Sequence, residues 1–219
     1  MRKSKKQQAS KSILFSTSIL NNIKYGEKEG ERLVNVSLKS NLLLGRLLSP
    51  LHTSNTTLFC GKVGKLRTFM RAIKTPGFPL ELLDRSNYSA EEAAKIPKEQ
   101  VELPNYWAIV AQAVVERVRQ DKKLMDLLKA NTLELTCLEG PKEVIFAGKK
   151  IEGHMSIAKN MAAYISIIRN IELMLKEGTF NNDEVVNKFI MDCRDDPEKD
   201  IFDNIQIPVN IVNENKDVK

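Results

Sequence analysis

The chain of 219 residues is poor in the side chains that build most familiar sites. It has three cysteines, Cys60, Cys137 and Cys193, and no CxxC pair. An odd, widely spaced set argues against a disulfide framework and points to a reducing compartment. The three thiols read as small buried hydrophobes. Histidine is limited to His52 and His154, too few for a zinc site of the ordinary kind, and both read as surface or loop residues. No metal and no cofactor is expected, although carboxylates could hold magnesium. No apolar run approaches the roughly 20 residues of a membrane span. Ile13-Leu14-Phe15 is too short for the apolar core of a signal peptide. The expectation is a cytoplasmic protein that does not engage a membrane. Walker A, GxSxG and GxGxxG are all missing, and Gly61-Lys62-Val63-Gly64 holds only a fragment of the last.

What is present is an ordinary globular mixture, 42% apolar and 28% charged, long enough for one full core with tails. The net charge of +6 is uneven. Residues 1–12 carry Arg2, Lys3, Lys5, Lys6 and Lys11 without an acid, while residues 192–219 sum to −4. Residues 1–12 read as a disordered basic tail and 208–219 as a flexible polar tail, leaving one domain over 13–207. The basic tail is either a solvated, solubilising segment or a contact for nucleic acid or an acidic partner.

The central helix is predicted over 105–119, wrapped by protein on most sides. Asn105 is placed to cap it, Pro104 bars an earlier start, and between Tyr106 and Val115 only Gln112 is polar. Leu124, Leu127 and Leu128 continue as a helical face that stops at Asn131, and 132–138 reads as a strand. Further strands are predicted at 11–18, at 33–38 by alternation, and at 57–60, with a turn at Gly61–Gly64. A hairpin is predicted over 142–151, turning at Gly148-Lys149. Ser89 and Glu92 form a capping box for a short helix. A long helix is predicted over 158–176, with Met161, Tyr164, Ile165, Ile168, Ile171 and Leu175 on its apolar face and Gly178 as its stop. Asn182 caps a last helix. The class is α+β: a helix-dominated single domain with a small mixed sheet, and the central helix packed under that sheet.

One predicted helix carries chemistry. Over Leu66 to Lys74, Leu66, Phe69, Met70 and Ile73 share a buried face, and Arg67, Arg71 and Lys74 share another. With Lys62 and Lys65, five cations and no acid lie within 61–74. Such a stripe fits a phosphate-rich ligand or nucleic acid; the alternative is a solvated helix face.

The order of elements from Leu33 to about Lys176 resembles the NADAR (YbiA-like) family, including proteins of this kind from large tailed phages. Val36-Ser37 through Gly45-Arg46-Leu47-Leu48-Ser49-Pro50 is similar to the family's opening strand and turn. Gly64 to Lys74 is similar to its helix after the "Val-Glu-Gly" stretch. Trp107, Leu127-Leu128 and Leu138-Glu139 are similar to its Trp, Leu-Leu and closing Glu. Ile157 to Arg169 is similar to its "Gly-x-Asn-x-Leu-Gly" segment. The resemblance implies a protein that binds an ADP-ribosylated or NAD-derived nucleotide and, if it is an enzyme, an N-glycosidase, acting in a host cytoplasm if phage-encoded. It implies Glu139 and Asn160 as catalytic residues, with Arg67, Arg71, Lys74, Trp107 and Lys159 binding the ligand. Glycosidic cleavage passes through an oxocarbenium-like state that needs a carboxylate. Two departures count against turnover: Arg67 stands where the family has its acid, and the "Asp…Trp-Gly-x-Gly" stretch is missing. The alternatives are a catalytically degenerate nucleotide-binding or counter-defence protein, and a nucleic-acid-binding accessory protein using the basic tail and the 61–74 stripe.

Overall fold

In the computed structural model the described residues are 33–84, 96, 100–139, 144–146, 149–151, 156–157 and 161–202. The predictions at 11–18, at the Ser89 capping box and at 1–12 and 208–219 lie outside them, as does His154. The protein is α+β and helix-dominated. Its small β content is mixed in direction, one two-stranded ladder being parallel and three antiparallel among the described residues. No described helix is long and apolar enough to cross a membrane. The chain divides into two compact units, the first Met1–Ser49 with Lys123–Asn181, the second Pro50–Lys122 with Asn182–Lys219.

In the first unit β1 (Leu33–Asn35) pairs in parallel with β4 (Glu134–Thr136), in the register Val34↔Leu135. The expected strand at 33–38 is therefore cut to three residues. It is buried on both faces rather than alternating, and Leu38 is 46% exposed. Parallel strands covered on both faces favour continuous apolar runs; Val36 still donates to the Thr136 oxygen at 2.7 Å, and the turn that follows, with Ser40 N donating to Ser37 O at 3.0 Å, takes Leu38 out of the ladder.

Helix α1 (Leu43–Leu48) closes on β1 through Gly45, where a Cβ would lie 2.2 Å from the Asn35 carbonyl oxygen. Helix α5 (Ala162–Glu177) buries the predicted face from Tyr164 to Leu175 and stops at Gly178, which adopts φ 75°. Its start is four residues later than expected. Ser156–Ile157 form strand β8 against β5 (Leu138–Glu139), and residues 158–160 lie outside the described set. On the same helix Glu172, 2% exposed, accepts from Lys176 Nζ at 2.6 Å and from Asn131 Nδ2 at 3.0 Å, and pairs with Arg169. Asn131 ends α4 (Lys122–Ala130) as predicted. Strands β6 (Val144–Phe146) and β7 (Lys149–Ile151) form the expected hairpin, but Lys149 pairs with Phe146 as part of a strand.

In the second unit β2 (Thr53–Leu58) and β3 (Gly61–Lys65) form an antiparallel hairpin. Gly61 to Gly64, expected as a turn, is strand. The reversal falls at Phe59-Cys60, and Gly61 takes the positive φ of 105° that the exit requires. Helix α2 (Leu66–Ala72) follows directly and buries Leu66, Phe69 and Met70, with Ile73 beyond its end, as the spacing predicts. The central helix α3 (Tyr106–Gln120) packs on β2, and its Gln120 side chain pairs with the Thr57 backbone, accepting from its N–H at 2.7 Å and donating to its oxygen at 2.9 Å. Helix α6 (Asp183–Asp192) packs on α3, and Asn182 caps it by accepting from the Glu184 and Val185 N–H groups.

Candidate functional site

The five cations of 61–74 do not behave alike. Lys62, Lys65 and Arg67 are exposed, and no ion pair joins Arg67 to a carboxylate among the described residues. Arg71 is half-buried and donates to the Ile96 carbonyl at 3.1 Å, which makes it a tie between segments. Lys74 places its ammonium 3.8 Å from the centre of the Tyr106 ring, a cation–π contact worth about 0.5–2 kcal/mol. Burial lowers the Lys74 pKa, the Glu102 carboxylate opposes that, and Arg67 adds to it. Tyr106 is pushed up to about 12, chiefly by burial, and its hydroxyl lies 3.5 Å from the Met70 oxygen. Trp107 is half-buried and meets the Tyr106 ring edge-on at 4.9 Å. Helix α2, the residues just after it and the first turn of α3 thus bring Arg67, Lys74 and Tyr106 into one neighbourhood, with Trp107 against the Tyr106 ring.

That neighbourhood is held by Asn105. It occupies the N-cap position of α3, as predicted, but its side chain does not cap the helix. It is fully buried with φ 57°. Its N–H donates to Asp195 Oδ1, its Nδ2 donates to the Lys199 oxygen at 3.0 Å, and its Oδ1 accepts from Asp196 N at 2.9 Å. Its carbonyl accepts from Ala108 and Ile109 in the first turn. The residue therefore pins the 195–199 segment to the start of α3.

Beside the pin lies a cavity of about 450 Å³. Ile73, Phe78, Leu80 and Leu103 contribute apolar wall, and Glu102 and Lys199 contribute charges of opposite sign. The volume lies within the roughly 300–1,000 Å³ usual for small-molecule sites.

The remaining predicted residues sit elsewhere or outside the described set. Glu139 belongs to the first unit, where its backbone pairs with Ser156 in the β5–β8 ladder. Lys159 and Asn160 are outside the described residues. Cys60 and Cys193 are buried, free, and pushed up to about 12 by burial, so both thiols stay protonated; Cys137 is half-buried. His52 is half-buried, with a pKa lowered by burial and by the Arg117 charge. Sequence reasoning passed over Glu102, placed Tyr106 only in the apolar run of the central helix and gave Asn105 only the role of a cap. The available signal for Asn105 was its residue type, since asparagine tolerates the left-handed region better than other side chains. No family model, no curated protein and no solved structure matches the chain.

Proposed function

We propose that the second unit binds a phosphate-bearing nucleotide of the ADP-ribosyl or NAD-derived kind beside the end of α2. The observation that carries this reading is the exposed Arg67 guanidinium, without an ion pair among the described residues, next to Lys74 and Tyr106, whose ring Trp107 meets. A guanidinium binds phosphate through two parallel hydrogen bonds. The half-exposed Trp107 provides a flat apolar partner for a base. Arg71 supports the site through Ile96 more than it grips the ligand. The buried free thiols Cys60 and Cys193 and a nucleotide ligand both suit a reducing, cytoplasmic setting.

Calorimetry with ADP-ribose on the wild type and on Arg67→Ala tests the reading. A charge-assisted hydrogen bond to phosphate contributes about 1.5–3 kcal/mol, so the variant is expected to bind roughly 10- to 100-fold more weakly. A folded wild type that binds no ADP-ribose overturns the proposal. The resemblance carries a separate reading, cleavage of an N-glycosidic bond with Glu139 as the acid and Asn160 orienting the substrate, and Glu139 belongs to the first unit. Turnover abolished by Glu139→Gln with ligand binding retained would make the protein a hydrolase. Arg67 at the position of the family's acid favours the binding role instead. A nucleic-acid reading draws on the exposure of Lys62, Lys65 and Arg67 and on the basic residues Arg2, Lys3, Lys5 and Lys6. It predicts affinity for an oligonucleotide that falls steeply with salt and is indifferent to Glu139→Gln.

A further inference from the structure

We infer that the cavity lined by Glu102 and Lys199 is the sugar subsite of that nucleotide, Glu102 accepting from a ribose cis-diol and Lys199 meeting a phosphate. This rests on the nucleotide reading above and adds to it the chemical group that each wall selects.

The two charges select the ligand class. An anion alone is repelled by Glu102, and a cation alone by Lys199. A ligand with adjacent hydroxyl donors at one end and an anionic group at the other satisfies both. An ionised carboxylate only accepts hydrogen bonds, and its two oxygens can take both hydroxyls of a vicinal diol. In dinucleotide-binding folds an acidic side chain accepts from a ribose hydroxyl. Ile73, Phe78, Leu80 and Leu103 supply the apolar wall against which the sugar ring would lie, and Thr75 also lines the cavity.

Both charged residues extend from a fixed main chain. Val101 N donates to the Lys74 oxygen at 3.0 Å, and Leu103 is 4% exposed, so Glu102 is anchored on either side. The Lys199 carbonyl accepts from Asn105 Nδ2 and from Arg194, which fixes its backbone while its side chain remains exposed. No ion pair ties Glu102 or the Lys199 ammonium to a partner among the described residues. The Glu102 carboxylate acts electrostatically on the Lys74 ammonium, which sets it beside the basic neighbourhood.

Calorimetry with two probes, ADP-ribose and inorganic pyrophosphate, tests the assignment on the full chain with Glu102→Gln and Lys199→Ala. Both positions are exposed, and unchanged thermal melting confirms that the variants are folded. Glu102→Gln is expected to weaken ADP-ribose by about tenfold and to leave pyrophosphate binding equal or tighter, because pyrophosphate has no diol. Lys199→Ala is expected to weaken both probes. If Glu102→Gln binds ADP-ribose as the wild type does while Arg67→Ala does not, the sugar subsite is wrong and the nucleotide reading stands. If Glu102→Gln weakens both probes equally, its role is not diol recognition and the inference also falls. If the wild type binds neither probe, the nucleotide reading fails and carries this inference with it.

Discussion

Asn105 concentrates several constraints in one side chain. Its left-handed backbone favours glycine or asparagine, and its amide makes two hydrogen bonds to the 195–199 segment. The two demands can be separated by substitution. Asn105→Gly keeps the backbone freedom and loses the amide, leaving the Lys199 oxygen and the Asp196 N–H without that partner, a loss of about 1–3 kcal/mol. Asn105→Ala loses the same bonds and adds about 1–2 kcal/mol for a Cβ in the left-handed region. Urea unfolding is expected to rank wild type above Asn105→Gly and Asn105→Ala lowest. An alanine variant as stable as the glycine variant would show that backbone conformation is not what selects this residue.

Helices show where local preference and packing oppose each other. Gly45 lies inside α1, where intrinsic propensity alone predicts that alanine would stabilise by about 1 kcal/mol. The added Cβ would meet the Asn35 oxygen at 2.2 Å and Ser40 Oγ at 2.3 Å. Overpacking of that kind costs about 1–3 kcal/mol, and here one of the obstacles is backbone. Gly45→Ala is therefore expected to lower stability. Gly178→Ala provides the control: it has nothing within 4 Å of the new Cβ and pays only for its φ of 75°, about 1–2 kcal/mol. Denaturant titration of both variants reads the difference. A Gly45→Ala protein more stable than wild type would mean that α1 does not close on β1.

For the molecule as a whole, the buried thiols and phenol set its response to alkali. Cys60 and Cys193 have a folded pKa of about 12 against an ordinary 9.0, and Tyr106 about 12 against 10.0. All three are raised by burial. Above pH 9 the unfolded chain loses these protons first, so the folded state binds more protons and stability falls as pH rises. The fall begins near the unfolded values and continues up to the folded ones, with a slope of up to about 1.4 kcal/mol per pH unit for each group. Below pH 9 the thiol contribution is fully present. The urea midpoint is expected to be flat on the neutral side and to drop between pH 9 and 12, less steeply in Cys193→Ala. An equally steep drop in that variant would remove the buried thiol as a cause.

The chain's own order of residues determined the helix faces and their ends. Leu66, Phe69, Met70 and Ile73 lie inward, as do Tyr164, Ile165, Ile168, Ile171 and Leu175. Gly178 stops α5 and Asn182 caps α6. These features follow from periodicity and capping, which act within one or two turns of the chain. The Lys74–Tyr106 contact, the tie from Arg71 to Ile96 and the cavity beside them join segments distant in sequence. A stripe of cations shows its spacing but not which charges remain exposed. The same holds for Asn105, whose residue type permits a helix cap, while partners about 90 positions away turn it into a pin. Tertiary structure decided these points because a side chain with several available hydrogen bonds takes the set that burial leaves satisfied, and that set is assembled only when remote segments meet.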